Sequence, residues 1–369
     1  MQLPIMPAMQ VFRGFHHPGI APACALTIGN FDGVHRGHQA MLALLINEAR
    51  HRGLPSCVLS FEPHPRDFFA QKLGKPELAP ARIATLRDKL QELERCGVDQ
   101  VVLLRFDQAL ASLPPEDFIT QVLQQGLGAR YVLVGDDFRF GAKRAGDYAL
   151  LDASGARLGM DVARMLSYEV HGLRVSSSAV RTALAGGDME RCAALLGRPY
   201  SISGHVQHGR KLGRQLGESA SGRSDGFRTL NLRFPHDKPA ASGIYAVQVH
   251  GLVSGAEGQW ADRPLAGVAS LGVRPTVEDA GRVLLETHVI DWPAELGREG
   301  GYGKLVRVEL LHKLRDEARY DGLPALTAAI AQDLVNAKRW FADRAAGSRV
   351  GSHTAERRQT TRDRIQAQR

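Results

Sequence analysis

The chain has little cysteine. Its four residues, Cys24, Cys57, Cys96 and Cys192, lie far apart with no Cys-x-x-Cys pair. That argues against a disulfide framework and a structural zinc site, and it fits a reducing compartment. No apolar run approaches the roughly 18 residues of a membrane span. The N-terminus lacks a charged region followed by an apolar core and a small-residue cleavage site, so the expected location is the cytoplasm. Aromatic residues make up only 6%. A nucleic-acid-binding sheet needs stacking aromatics interleaved with Lys and Arg, so no specific nucleic-acid partner is expected.

What is there suits a globular protein: 369 residues, 44% hydrophobic and 23% charged, enough for two domains that each bury a core. The net charge is +8, but six arginines against Glu356 and Asp363 place half of it in residues 347–369. That tail is poor in apolar residues and is expected to be disordered. The remainder is mildly basic, which suits phosphorylated small molecules as well as it suits nucleic acid.

The first half alternates short apolar runs (Ala25–Ile28, Ser56–Phe61, Gln100–Arg105, Tyr131–Gly135) with helical patterns at about 38–52, 82–96 and 115–126. This predicts a parallel sheet with helices on both faces, whose ligands bind at the carboxyl ends of strands. Three polar loops follow such strands: Gly29-Asn30-Phe31-Asp32-Gly33-Val34-His35-Arg36-Gly37-His38, then Phe61-Glu62-Pro63-His64-Pro65, then Gly135-Asp136-Asp137-Phe138. The first is a glycine-rich strand-to-helix turn, where backbone amides and a helix N-terminus meet anions. His35 and His38 there reach phosphate oxygens more plausibly than they form a metal site, for which the sequence locates no third ligand. The segment GAKRAGD at 141–147 has the glycine spacing of a P-loop but Asp147 where lysine belongs, so it is not one.

Beyond residue 197, period-2 runs at Gly243–His250, 283–290 and Lys304–His312 predict an antiparallel sheet or small barrel. A final helix at about 324–344 follows, with Leu326, Ile330, Leu334 and Trp340 along one side.

GNFDGVHRGH resembles the HxGH signature of the nucleotidyltransferase superfamily. Its full spelling resembles the bacterial bifunctional riboflavin kinase/FAD synthetase family. The segments at 61–65, VGDDFRFGAKRAGD at 134–147 and RVSSSAVR at 174–181 agree, and the similarity covers about residues 9–345. It begins near Met9, so residues 1–8 are expected to be a leader or an upstream start. The resemblance implies an FMN adenylyltransferase domain (9–190), a riboflavin kinase domain (197–345) and a basic tail (346–369). In the first domain His35 and His38 would hold ATP phosphates with Asn30, Asp32 and Arg181. Phe61, Pro63, Pro65, Asp137 and Phe138 would meet the flavin. Ser177 or Ser178 would cap the helix leading to Arg181. FMN phosphate would attack ATP directly, so catalysis is positioning and charge stabilisation with Mg²⁺.

The second half resembles the riboflavin kinase module from GRPYSISGHVQHGRKLGRQLG (197–217) onward. Gly204, His208, Gly209, Gly213 and Arg214 match its nucleotide-binding opening, and Glu286 is the implied base for the ribityl hydroxyl. The family's Pro-Thr-Ala-Asn is replaced by Arg228-Thr229-Leu230-Asn231, after an intervening ESASGRSDG at 218–226. Thr229 and Asn231 keep the oxygen ligands that Mg²⁺ wants. An active kinase with a remodelled loop, a weakened kinase and an inactive flavin-binding barrel are the competing readings, and the three preserved residues favour the first. The implied ligands are riboflavin, FMN, FAD, ATP and Mg²⁺. Rival readings are adenylyl transfer to another phosphorylated acceptor, which the flavin segments disfavour, and a nucleic-acid-binding barrel. Oligomeric state is not legible.

Overall fold

The computed structural model describes residues 8–170, 173–208, 229–253, 263–273, 283–297 and 299–366, with side chains described as far as residue 346. Two compact units divide the chain, Met1–Ala183 with Arg191–Arg198, and Leu184–Glu190 with Pro199–Arg369.

The first unit is built on six strands: β1 (Gln10–Arg13), β2 (Cys24–Ile28), β3 (Ser56–Glu62), β4 (Gln100–Arg105), β5 (Ala129–Gly135) and β6 (Asp161–Met165). They form one sheet in the order β1-β4-β3-β2-β5-β6, with every pairing parallel. Parallel strands need crossovers. The helices here are α1 (Arg36–His51), α2 (Pro65–Lys72), α3 (Leu86–Arg95), the short α4 (Gln108–Ser112), α5 (Pro115–Asp117, continuing as a π-helical stretch Phe118–Gly126) and α6 (Tyr148–Leu158). Leu26, Ile28, Leu59 and Val102 pack on one side with Ile119 and Leu123 of the π-helical stretch. Val58, Val101 and Leu103 pack with Leu42, Ile46 and Leu93 of α1 and α3 on the other. Burial on both faces is why these strands read as continuous apolar runs.

From β2 the chain steps outward through β3 to β4, then returns to place β5 and β6 on the far side of β2. The order therefore reverses between β2 and β5, which is where an open α/β sheet offers its ligand crevice. A two-stranded ribbon, β7 (Glu169–Val170) and β8 (Leu173–Arg174), leads to α7 (Ser177–Ala185) and α8 (Met189–Leu196). The hydroxyl that caps α7 is that of Ser176, which accepts from the Ala179 amide at 3.2 Å. Ser177 instead donates to the Asp32 carbonyl at 3.1 Å, so the cap falls one residue before the pair expected from sequence.

The second unit is an antiparallel sheet of β9 (Tyr200–His205), β10 (Thr229–Phe234), β11 (Gly243–His250), β12 (Leu265–Val273), β13 (Val283–Val289) and β14 (Leu305–Arg315), in the order β10-β13-β12-β11-β14-β9. A bridge between Gln207 and Asn231 joins the two edges, so the sheet is a nearly closed barrel. A last helix, α9, runs Leu323–Gln366. Its Leu334, Trp340 and Phe341 cover Ala246, Ala266 and Val268, and Arg315 grips its Asp333 with two bonds of 2.8 and 2.6 Å. The helix starts within one residue of the sequence expectation but continues past 344, through the basic segment whose composition suggested disorder.

Candidate active sites

The three polar loops meet as expected. A cavity of about 520 Å³ opens at the carboxyl ends of β2, β3 and β5, and its walls include Asn30, His38, Phe61, Pro65, Asp137 and Phe138. Its walls are strongly aromatic, with Phe69, Phe106, Phe118 and Phe140 joining Phe61 and Phe138, and they also include Asn30 and Phe31 of the loop before α1 and His38 in its first turn. Of the candidates for this domain, Pro63, Asp32, His35 and Arg181 are not among the walls. The aromatic pair Phe69 and Phe106 carried no motif in the sequence. Phe140, Lys143 and Arg144, also in the walls, fall inside the 134–147 segment already singled out.

The loop before α1 is held tightly. Phe31 and Val34 have φ of 50° and 40°, left-handed values that non-glycine residues rarely adopt. Such conformations persist where surroundings over-determine them, and here buried polar groups do so. The Asp32 carboxylate accepts from the amides of Ile83 and Ala84 at 3.2 and 3.1 Å and from Arg181 Nη2 at 2.6 Å. Arg181 Nε also donates to the Ala81 carbonyl at 2.6 Å. The Asn30 carbonyl accepts from Ser60 Oγ and from Lys89 Nζ, each at 3.4 Å. Lys89 is buried, lies 3.6 Å from Glu62, and has its ammonium pKa pulled down by burial.

His35 caps α1: its Nδ1 accepts from the His38 amide at 3.3 Å, and the two rings stack with centroids 3.6 Å apart. Burial, reinforced by Arg181 and Arg198, holds the His35 imidazole down at about 4 although Asp32 opposes it. Burial, with the neighbouring His35, holds His38 well below the usual imidazole value. Both rings are therefore neutral near pH 7 and offer N–H donors rather than full charges. His64 caps α2, its Nδ1 accepting from the Arg66 amide at 3.1 Å. It is pushed down to about 3 by burial first and by Arg82 next. The Asn30 Oδ1 and His38 Nδ1 atoms are buried and make no hydrogen bond within the protein. Unsatisfied polar atoms of this kind in a cavity wall are waiting for a ligand or water.

In the barrel, strand register does the assembling. Asn231 of β10 pairs with Glu286 of β13, and Thr229 with His288. On its other side Glu286 pairs with Ser270 of β12. Directly paired residues share a face, so Thr229, Asn231, Ser270 and Glu286 lie together, opposite the face on which Val283, Leu285 and Val289 enter the core. Glu317, not singled out in the sequence, joins them. It accepts from Ser270 Oγ at 3.3 Å, and burial, with the nearby Glu286, raises its pKa. It lies over Gly272, where any Cβ would collide with its carboxylate. His208 stacks on Tyr302 with centroids 3.9 Å apart, and Gly204 of β9 pairs with Val306 of β14. Gly209, Gly213 and Arg214, and the 218–226 segment, lie outside the described residues.

A parallel α/β domain with a histidine-bearing strand-to-helix turn, followed by a barrel carrying glutamate and asparagine on adjacent strands, defines a two-domain transferase. Comparison with known proteins specifies it. The FAD synthetase family model matches residues 18–179 and the riboflavin kinase model residues 196–341. A bifunctional riboflavin kinase/FMN adenylyltransferase of Escherichia coli K12 is 42% identical over 335 residues, covering 90% of this chain and 98% of its own. Those of Pseudomonas fluorescens (42%, 89% and 97% covered) and Haemophilus influenzae (40%, 90% and 99% covered) are similar. The chain belongs to the bifunctional riboflavin kinase/FMN adenylyltransferase family, with the adenylyltransferase domain first and the kinase domain second. A crystal structure described as a macrolide-efflux protein of Streptococcus pneumoniae superposes with a TM-score of 0.66 at 23% identity, over 90% of this chain and all of that one. That likeness is one of fold alone. Among the described residues no helix is long and apolar enough to cross a membrane.

Proposed function

We propose that the cavity of the first unit binds FMN against its aromatic walls and the ATP triphosphate beside Asn30 and His38. The observation that carries this is that one cavity is lined both by Asn30 and His38 and by Phe61, Pro65, Asp137 and Phe138. An FMN phosphate oxygen attacks the α-phosphorus of ATP, a P–O bond forms, and the bond to pyrophosphate breaks. Neutral His35 and His38 supply N–H donors to the phosphate oxygens, where charge accumulates. Asp32 and Arg181, engaged with each other, hold the loop, and the charge of Arg181 favours the triphosphate near it.

In the barrel Glu286 accepts the proton of the riboflavin 5′-hydroxyl as it attacks the γ-phosphorus of ATP, giving FMN and ADP. Geometry for a base comes first, and Glu286 is flanked by Asn231 and Ser270 on neighbouring strands. Mg²⁺ fits this face. The buried Asn231 Oδ1 makes no hydrogen bond within the protein, and amide and hydroxyl oxygens suit a hard cation that keeps most of its ligands from water and phosphates. Thr229 and Asn231 would hold it, and it would neutralise phosphate charge. Gly204 and His208 are read as contacts of the nucleotide, as are Gly209, Gly213 and Arg214, which lie outside the described residues. Riboflavin, FMN and ATP in the cytoplasm are the partners this reading requires.

The test is a time course of FMN and FAD from riboflavin and Mg²⁺–ATP. His38→Ala should abolish FAD formation and leave FMN formation, and Glu286→Gln should do the reverse. Parallel loss of both activities in either variant would refute separate sites with these residues.

A further inference from the structure

Arg198 falls by sequence match in the riboflavin kinase segment, yet its side chain lies in the first unit, behind the histidine loop. Its Nη2 donates to the Gly33 carbonyl at 2.8 Å, and its Nη1 donates to the carbonyls of Val34 and Leu196 at 3.2 and 3.1 Å. Its Nε pairs with Glu92 of α3 at 3.1 Å. Gln39 spans two of the same acceptors, donating Nε2 to the Val34 carbonyl at 2.8 Å and to that of Leu196 at 2.7 Å. The backbone these groups hold is unusual. Val34 is β-branched and sits at φ 40°, directly before the residue that caps α1, and for such a side chain the left-handed region is a genuine outlier. The Val34–His35 peptide sets where the His35 ring lies, and the His38 ring stacks on it. Neither Gly33, Val34 nor Arg198 is among the cavity walls.

We propose that Arg198 is a positioning residue for adenylyl transfer: its guanidinium fork fixes the Gly33–Val34 turn that seats His35 and His38 against the phosphates of ATP. A residue of the segment that begins the kinase match thereby completes the adenylyltransferase site. The inference rests on the reading of the two histidines given above. Arginine is required because three carbonyls and a carboxylate are met by the Nη1, Nη2 and Nε groups of one planar fork, which a lysine point charge does not reproduce.

The test uses the full chain with Arg198→Met, Arg198→Lys, Glu92→Gln and His38→Ala, each assayed for FMN from riboflavin and for FAD from FMN. The phosphates of ATP and of pyrophosphate would meet the same histidine N–H groups, so misplacing those groups weakens the hold on both. Arg198→Met should therefore raise the KM for ATP and the inhibition constant of pyrophosphate in FAD formation by about tenfold, with FMN formation unchanged. Arg198→Lys should recover only part of the loss, and Glu92→Gln should shift the same KM by a smaller factor. Wild-type kinetics in Arg198→Met, or a fall in kcat with KM for ATP unchanged, would overturn the proposal. If Arg198→Met does not fold, Arg198→Lys and Glu92→Gln decide by the same KM criterion. An inactive His38→Ala beside an unchanged Arg198→Met overturns this inference alone. A normal His38→Ala overturns the histidine reading and this inference with it.

Discussion

Replacing His64 with asparagine removes a proton-binding group while keeping the helix cap, because asparagine is among the best N-cap residues. In the native protein His64 is buried and held at about 3, largely by burial. The unfolded chain binds that proton near 6.5. Because the folded value is the lower one, the stabilising effect is complete above pH 6.5. It drains away as pH falls from 6.5 toward 3, where the unfolded state takes up a proton that the native state refuses. Between pH 7 and pH 5 the loss is about 2 kcal/mol for His64, and about the same for His35, held at about 4. The wild-type domain should therefore lose about 4 kcal/mol over that interval from these two groups, and His64→Asn only about half of it. No tryptophan falls within the residues of the first unit, so tryptophan fluorescence reports on the second unit and serves as the internal control. The first unit is best followed by amide hydrogen exchange in β2 and β3, read as local opening free energy. A wild-type slope that His64→Asn leaves unchanged would refute the assignment, as would protection that stays level from pH 7 to pH 5.

Two further outcomes follow from particular contacts. Imidazole NMR signals of His35 and His38 should show neutral rings from pH 8 down to about 5.5; a midpoint near 6.5 for either would mean the stack is more hydrated than its burial implies. Arg315→Met strips both bonds from the buried Asp333 of α9, which should lower barrel stability by about 2 kcal/mol, read as a shifted urea midpoint in tryptophan fluorescence. An unmoved midpoint would show that the apolar contacts of Trp340 alone anchor the helix.

The central strands were legible because burial on both faces forces continuous apolar runs, and the barrel strands because burial on one face forces alternation. The edge strands β1 (QVFR) and β6 (DVARM) gave no such signal: each pairs on one side only and carries charged or polar residues. Helix α2 carried no signal in the sequence, because Pro63 and Pro65 bracket His64 and mark that stretch as a loop. Pro65 in fact takes the first helical position, where its missing N–H costs nothing. The cavity residues on the three loops were legible, since strand ends and motifs located them. What the sequence hid was the hold behind the loop. Asp32 meets the amides of residues 83 and 84, and Arg198 meets carbonyls at 33 and 34, contacts spanning about 50 and 165 positions that no local pattern encodes.

The pairing of β10 with β13 has one more consequence. A strand slipped by one residue turns every side chain over, so the face proposed for the kinase reaction exists only while Asn231 stays opposite Glu286. That alignment is set by six consecutive pairs with β13 and by the bridge to Gln207, none of which draws on residues 209–228. Extra length upstream of Thr229 adds closure entropy that grows only slowly with residue number and does not change which atoms face one another. The departure from the family spelling thus lies outside the pairs that bring Asn231 opposite Glu286.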